Sequence, residues 1–160
     1  MKFEQYQFKF YLNANHAIEI NGHLGQIHPH TWEISIATLK LSEKFISFHD
    51  VEIIVEKIFE EYQDKFLNKI PPFDRINPTL ENICEVFKDK ISSILEGADW
   101  KLLKIEVSET PARSYVISLS GEDDFTVQVP NTAELDPRSK EALITEIINE
   151  CHHRSTIDSL

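Results

Sequence analysis

The stretch YQFKFYLNANHAIEINGHLGQIHPHTWEISIATLK, residues 6–40, decides the fold. Tyr6, Phe8, Phe10, Leu12, Ala14 and His16 fall on alternate positions, so they share one face of a strand predicted over residues 2–16. The alternation returns over residues 28–40, where His28, His30, Trp32, Ile34 and Ile36 share a face. The intervening INGHLGQI holds two of the chain's four glycines and reads as a loop. The unit is therefore strand, loop, strand, with a histidine-rich end.

Outward from this unit the period changes. From Asp50, the residues Val51, Ile54, Val55, Ile58, Phe59 and Tyr62 follow helical spacing, with Asp50 as the predicted N-cap. KIPPFDRINP is a proline-rich break. A second helix then carries Leu80, Ile83, Cys84, Phe87, Ile91 and Ile94 on its buried stripe. Asn77 is its expected cap, Pro78 its first turn and Gly97 its end. Alternation resumes over residues 101–109 (Leu103, Ile105, Val107, Glu109) and 113–119 (Tyr115, Ile117, Leu119), joined by a tight ETPA hairpin. The order ββααββ predicts an α+β domain over residues 1–120, an antiparallel sheet with both helices on its apolar face. Residues 121–160 form an extension: an acidic, irregular stretch, then a helix starting near Asp136-Pro137 with Leu143, Ile147, Ile148 and Cys151 on a weak apolar stripe.

Composition bounds the function. A net charge of −11 argues against general nucleic-acid binding, which needs a basic surface. No apolar run reaches the length of a membrane span. The alternating MKFEQYQFKF lacks the apolar core of a signal peptide, so a cytoplasmic location is expected. Cys84 and Cys151 have no near cysteine neighbour, which argues against a disulfide framework or a cysteine-based zinc knuckle.

The chemistry lies in the histidines. His28 and His30 are two apart and lie on the same side of one strand, and His16 ends the apolar face of the preceding strand with the same parity. Three histidines leave one position of tetrahedral zinc open, the pattern of a catalytic site. Glu109 interrupts an apolar row; it is either solvated beyond the core or a pocket carboxylate awaiting a hydrogen-bonding ligand.

These residues resemble the 6-pyruvoyl-tetrahydropterin synthase family, including the bacterial 6-carboxytetrahydropterin synthases of queuosine synthesis. FYLNANH is similar to the family's first strand and first zinc histidine, and LGQIHPHTWEISI to its Cys-x-x-x-His-Gly-His segment. ISFHDVEIIV, NPTLEN and VSETP resemble its helix entry, its second helix start and its substrate-anchoring glutamate segment, so the likeness spans roughly residues 3–119. The resemblance implies the tunnelling fold, in which subunits form rings, with a homohexamer of two trimers and active sites between subunits. It implies zinc held by His16, His28 and His30, and a pterin-like small molecule anchored by Glu109. Thr79 falls where the family's helix start often faces the ligand; it reads equally as a helix-terminus residue bonding its own backbone.

Three positions depart from the family. Its catalytic cysteine falls at Leu24, its Asp-His pair at Gln63 and Asp64, and the glycine of His-Gly-His at Pro29, where a proline cannot copy a positive-φ turn. The implied function is a zinc- and pterin-binding homologue with an altered catalytic set. An active zinc-dependent lyase using a substitute acid or base is the alternative. Asp64 and His23 are the leading substitutes, with Glu19 and His49 also near the relevant loops. A structural ring subunit without ligand is the third reading. Cys84, on the buried helix stripe, reads as core.

Overall fold

The computed structural model describes residues 5–42 and 47–119, and the predicted C-terminal helix lies outside them. Two long strands, β1 (Tyr6–His16) and β4 (His28–Lys40), pair antiparallel along their whole length, from Tyr6 opposite Thr38 to His16 opposite His28. Between them the chain makes a miniature hairpin, β2 (Glu19–Ile20) and β3 (His23–Leu24), turning on Asn21 and Gly22. Both turn residues have positive φ, 52° and 77°, as a two-residue type I′ turn demands.

Helix α1 (Phe48–Glu60) follows, then the two-residue strand β5 (Lys65–Phe66), a single 3-10 turn over Leu67–Lys69, and helix α2 (Leu80–Glu96). Strands β6 (Trp100–Thr110) and β7 (Arg113–Ser118) close the sheet in the order β5-β1-β4-β6-β7. All neighbouring pairs are antiparallel except β5, which lies parallel to β1 through Ala14 and Asn15. The fold is α+β, as the alternation predicts, with β5 and the β2-β3 hairpin added.

The core forms between the apolar sheet face and the helices. Phe8, Phe10, Leu12, Trp32, Ile34, Ile36, Ile105 and Val107 face Val51, Val55, Phe59, Ile83, Phe87, Ile91 and Leu95. Tyr62 and Phe87 stack edge-on at 5.4 Å, and Phe59 meets Phe87 at 5.2 Å. Such tilted aromatic pairs add to the burial of apolar area that drives the fold.

Four local expectations are corrected. The N-cap of α1 is Ser47, whose hydroxyl accepts from the His49 amide at 3.2 Å, so Asp50 sits in the first turn and complements the helix dipole. The N-cap of α2 is Thr79, whose hydroxyl accepts from the Asn82 amide at 3.3 Å, and Asn77 stands two residues outside. Leu103 does not share the core row of Ile105 and Val107. A bulge between Ala37 and Thr38 shifts the register, so Leu102 and Trp100 continue the buried face instead. Pro29 is not in a turn. It lies in β4 opposite Asn15, beyond Glu33, the last β4 residue that β6 pairs, a sheet-edge position that tolerates a missing N–H.

Candidate metal centre

The histidines stand where the end of β1 pairs with the start of β4. The antiparallel register puts His16 opposite His28, and His30 opposite Ala14, on the face that also carries Leu12 and Trp32. The ring centroids lie 4.4 Å apart for His16 and His28, 5.1 Å for His16 and His30, and 4.9 Å for His28 and His30. One nitrogen from each ring can be chosen so that all three lie within 4.8 Å of one another. Three donors so placed could hold one metal ion.

The ring orientations are built in. His16 Nδ1 lies 2.8 Å from the Pro78 carbonyl and His28 Nδ1 lies 2.9 Å from the Gln26 carbonyl. A carbonyl only accepts, so each Nδ1 carries the proton and each Nε2 keeps its lone pair. His16 is buried and its Nε2 has no hydrogen-bond partner. A buried, unpaired acceptor beside two further imidazoles is the donor set a borderline-soft divalent cation such as zinc takes, so the residues fit the group. Carbonyls that fix the tautomer are the usual outer shell of a histidine metal site. Burial lowers the His16 pKa below its ordinary value; the Pro78 carbonyl opposes this, His28 and His30 add to it, and Glu109 opposes it. Trp32 forms the floor, its ring edge-on to His16 at 5.0 Å and to His30 at 5.2 Å.

Two asparagines hold the chain after His16 in place. Asn68 accepts from the Ala17 amide at 2.9 Å and donates to the Ala17 carbonyl at 2.8 Å. Asn77 does the same to Glu19, at 2.8 Å and 2.7 Å. Each side chain thus replaces a missing strand neighbour for one residue. Neither role is visible in spacing, and the same holds for the Pro78 and Gln26 carbonyls.

Glu109 is near enough to His16 for its charge to oppose the fall in the His16 pKa. A second bulge sits at this residue, between the pairs Ser108–Ser114 and Thr110–Arg113, where such bulges re-aim a side chain. The Glu109 side chain is mostly buried, and its Oε1 meets Arg113 Nη1 at 3.1 Å. Arg113 follows Glu109 by four residues across the two-residue turn, so the ETPAR spacing could have pointed to the pair.

The remaining sequence candidates scatter. Leu24 is half exposed on β3. His23 is exposed, with Nδ1 3.0 Å from the Asn21 carbonyl. Gln63 accepts from the Asn13 amide at 3.2 Å through Oε1, and the Asp64 amide donates to the Asn13 carbonyl at 2.7 Å. Asp64 has φ of 58° and lines a cavity of about 330 Å³ with Asn13, Asn15, Pro29, His30 and Thr31. Thr79 spends its hydroxyl on the helix cap. Cys84 is buried in the core on α2, and burial pushes its thiol up to about 12.

A family model described as 6-pyruvoyl tetrahydropterin synthase matches residues 5–119. No curated protein matches the chain in sequence. Among solved structures the chain is similar to the 6-pyruvoyl tetrahydropterin synthase of Caenorhabditis elegans, with a TM-score of 0.62 at 14% identity, covering 73% of this chain and 96% of that one. It is similar to an uncharacterized protein from Wolinella succinogenes, with a TM-score of 0.56 at 15% identity over 73% of this chain and 98% of the other. The Plasmodium falciparum 6-pyruvoyl tetrahydropterin synthase aligns with a TM-score of 0.52 at 15% identity over 71% and 96%. At such identities these likenesses carry the fold alone.

Proposed function

Because the chain belongs to the 6-pyruvoyl tetrahydropterin synthase family, we propose that it binds zinc and a pterin-like ligand while its proton-transfer set is altered. The observation that carries this reading is the buried, unpartnered Nε2 of His16 beside His28 and His30, with the Glu109 charge acting on His16. His16, His28 and His30 would hold the ion, which would supply Lewis-acid polarisation of a ligand oxygen. Glu109 would accept hydrogen bonds from the ligand's ring N–H and amino donors, and charge-assisted bonds of this kind contribute about 1.5–3 kcal/mol each. Thr79 would border the ligand only through its backbone or methyl group while its hydroxyl caps α2.

The altered set is read from three side chains. Leu24 cannot carry a proton. Gln63 is a neutral amide engaged with the Asn13 backbone. Asp64 is a carboxylate where the family places an imidazole. Loss of a general acid or base costs about 10²–10⁴-fold in rate. The active-lyase alternative rests on Asp64 and His23 as substitutes; Asp64 lines its cavity mainly with Asn13, Asn15, Pro29 and Thr31, on the strand face opposite the His16 and His30 rings, and His23 is exposed.

Ring assembly belongs to the same reading. Strand β5 covers β1 only at Ala14 and Asn15, and the outer edge of β7 has no partner among the described residues. Open edges invite pairing between subunits, and a homohexamer of two trimers would close them. We assign residues 1–120 to this domain and 121–160 to an extension of it. Among the described residues no helix is long and apolar enough to cross a membrane. The test is direct: elemental analysis for zinc, titration with pterins, and product analysis with dihydroneopterin triphosphate. Metal-free protein at full occupancy of the fold would overturn the zinc reading, and robust turnover would overturn the altered-catalysis reading.

A further inference from the structure

Glu109 already has a partner. Its Oε1 is held by Arg113 Nη1 at 3.1 Å, with the Glu109 side chain 13% exposed and that of Arg113 70% exposed. The asymmetry matters. The carboxylate is the more buried member of the pair, whereas the guanidinium side chain is mostly exposed to solvent. A guanidinium is a carbon bearing N–H donors in one plane, and it matches a carboxylate's two oxygens in a fork. A 2-amino-4-oxopyrimidine edge offers the same arrangement, a ring N–H beside an exocyclic NH₂.

Resting on the reading that Glu109 anchors a pterin-like ligand, we propose that Arg113 is a specificity-determining residue that occupies the Glu109 carboxylate as a stand-in for that donor edge and must leave for full recognition. The closest approach runs from Arg113 Nη1 to Oε1, and an arriving ligand would engage Oε2 first. The exchange then passes through a shared carboxylate and never leaves it unpaired, which would be costly for a group this buried. Ligands offering a single donor cannot replace the guanidinium; those offering two adjacent donors can. The pair thereby raises the threshold for binding and narrows it to heterocycles with an amidine-like edge.

The consequences are readable in binding rather than in turnover. Neopterin, an uncharged fluorescent pterin, serves as the probe against wild type, Arg113→Ala, Arg113→Gln and Glu109→Gln. Arg113→Ala and Arg113→Gln should bind neopterin about 1.5–5-fold more tightly than wild type, in keeping with the modest strength of a partly exposed ion pair. Raising ionic strength weakens that pair, so wild-type affinity should rise with salt while the Arg113 variants stay flat. Guanidinium chloride at about a few hundred millimolar, compared with sodium chloride at the same ionic strength, should return the Arg113→Ala affinity toward the wild-type value. Unchanged or weaker binding in both Arg113 variants, with no response to guanidinium, would overturn the role of Arg113 while Glu109→Gln still loses the probe. Undiminished neopterin binding in Glu109→Gln would instead overturn the underlying ligand reading.

Discussion

His16 Nδ1 lies 2.8 Å from the carbonyl of Pro78, so the first strand's last residue is oriented by the chain just before α2, 62 residues later. Pro78 has no N–H of its own, and its carbonyl supplies the acceptor that turns His16 Nε2 toward His28 and His30. A site assembled across the fold in this way stabilises the fold when filled.

Metal content follows. The purified protein should carry about one zinc per chain, and His28→Ala or His30→Ala should reduce this several-fold, read by elemental analysis. Chelation should lower the thermal midpoint, because an ion that binds only the folded state adds about 2.7 kcal/mol at a hundredfold excess over Kd. A triple His16, His28 and His30 variant that still holds stoichiometric metal would refute the site.

Asn68 should prove a supporting residue with a measurable share in both stability and metal affinity. Its amide bonds both backbone groups of Ala17, the fully buried neighbour of His16. Asn68→Ala leaves both unpaired at a cost of about 1–3 kcal/mol for each buried group not reached by water. Urea unfolding should show that loss, and zinc affinity should fall with it by up to about 10–100-fold, the range for outer-shell partners. Asn77→Ala, acting on the exposed Glu19, should cost less.

The long alternations of residues 6–16 and 28–40 and the two helical stripes made the sheet and its helices legible, because their periods repeat over many residues. Short features were not. The Asn21-Gly22 pair is a hairpin signal that reads as plain loop when flanked by only two residues on each side. Leu103 leaves the core row through a bulge opposite Thr38, and no local sequence marks it. The histidine triad was legible because strand parity suffices to bring His28 and His30 together. Its orientation was not, since it depends on the Pro78 and Gln26 carbonyls, and backbone acceptors have no residue signature. Arg113 differs: its spacing from Glu109 across the ETPAR turn offered a signal for the pair.

Cys84 should behave as inert core. With its thiol pushed up to about 12 by burial, the group remains protonated across the physiological range, since a thiol ionises only as pH approaches its pKa. In a Cys151→Ser background, native protein at pH 8 should react with iodoacetamide only at the rate of unfolding, and rapidly in denaturant. Fast native labelling, tracked by mass spectrometry, would contradict the burial of Cys84 in the core.

Light scattering should find an assembly larger than a dimer, with a hexamer expected. The exposed apolar side chains Tyr11 on β1 and Val116 on β7, strands that flank unpaired edges, suit subunit contact. A charged substitution such as Val116→Lys should shift the species toward monomer and lower the thermal midpoint together. A clean monomer for the unaltered chain at micromolar concentration would rule out ring closure.

Catalysis gives the sharpest contrast between binding and chemistry. Ligand recognition is assigned to Glu109 and the histidines, while proton transfer in the family runs through positions that here hold Leu24, Gln63 and Asp64. These are different residues on different elements: Glu109 sits in the β6-β7 bulge, Leu24 on the β2-β3 hairpin, and Gln63 and Asp64 between α1 and β5. Binding can therefore persist where turnover does not. Zinc-loaded protein given dihydroneopterin triphosphate should show little or no product by chromatography, while pterin titration shows saturable binding that Glu109→Ala abolishes or weakens by at least tenfold. The competing outcome has its own signature. If Asp64 has assumed the proton-transfer role, turnover appears, Asp64→Asn removes it by about 10²–10⁴-fold, and pterin affinity stays unchanged. Turnover that survives both Asp64→Asn and His23→Ala would mean that neither residue moves the proton, and would direct attention to groups supplied by a neighbouring subunit.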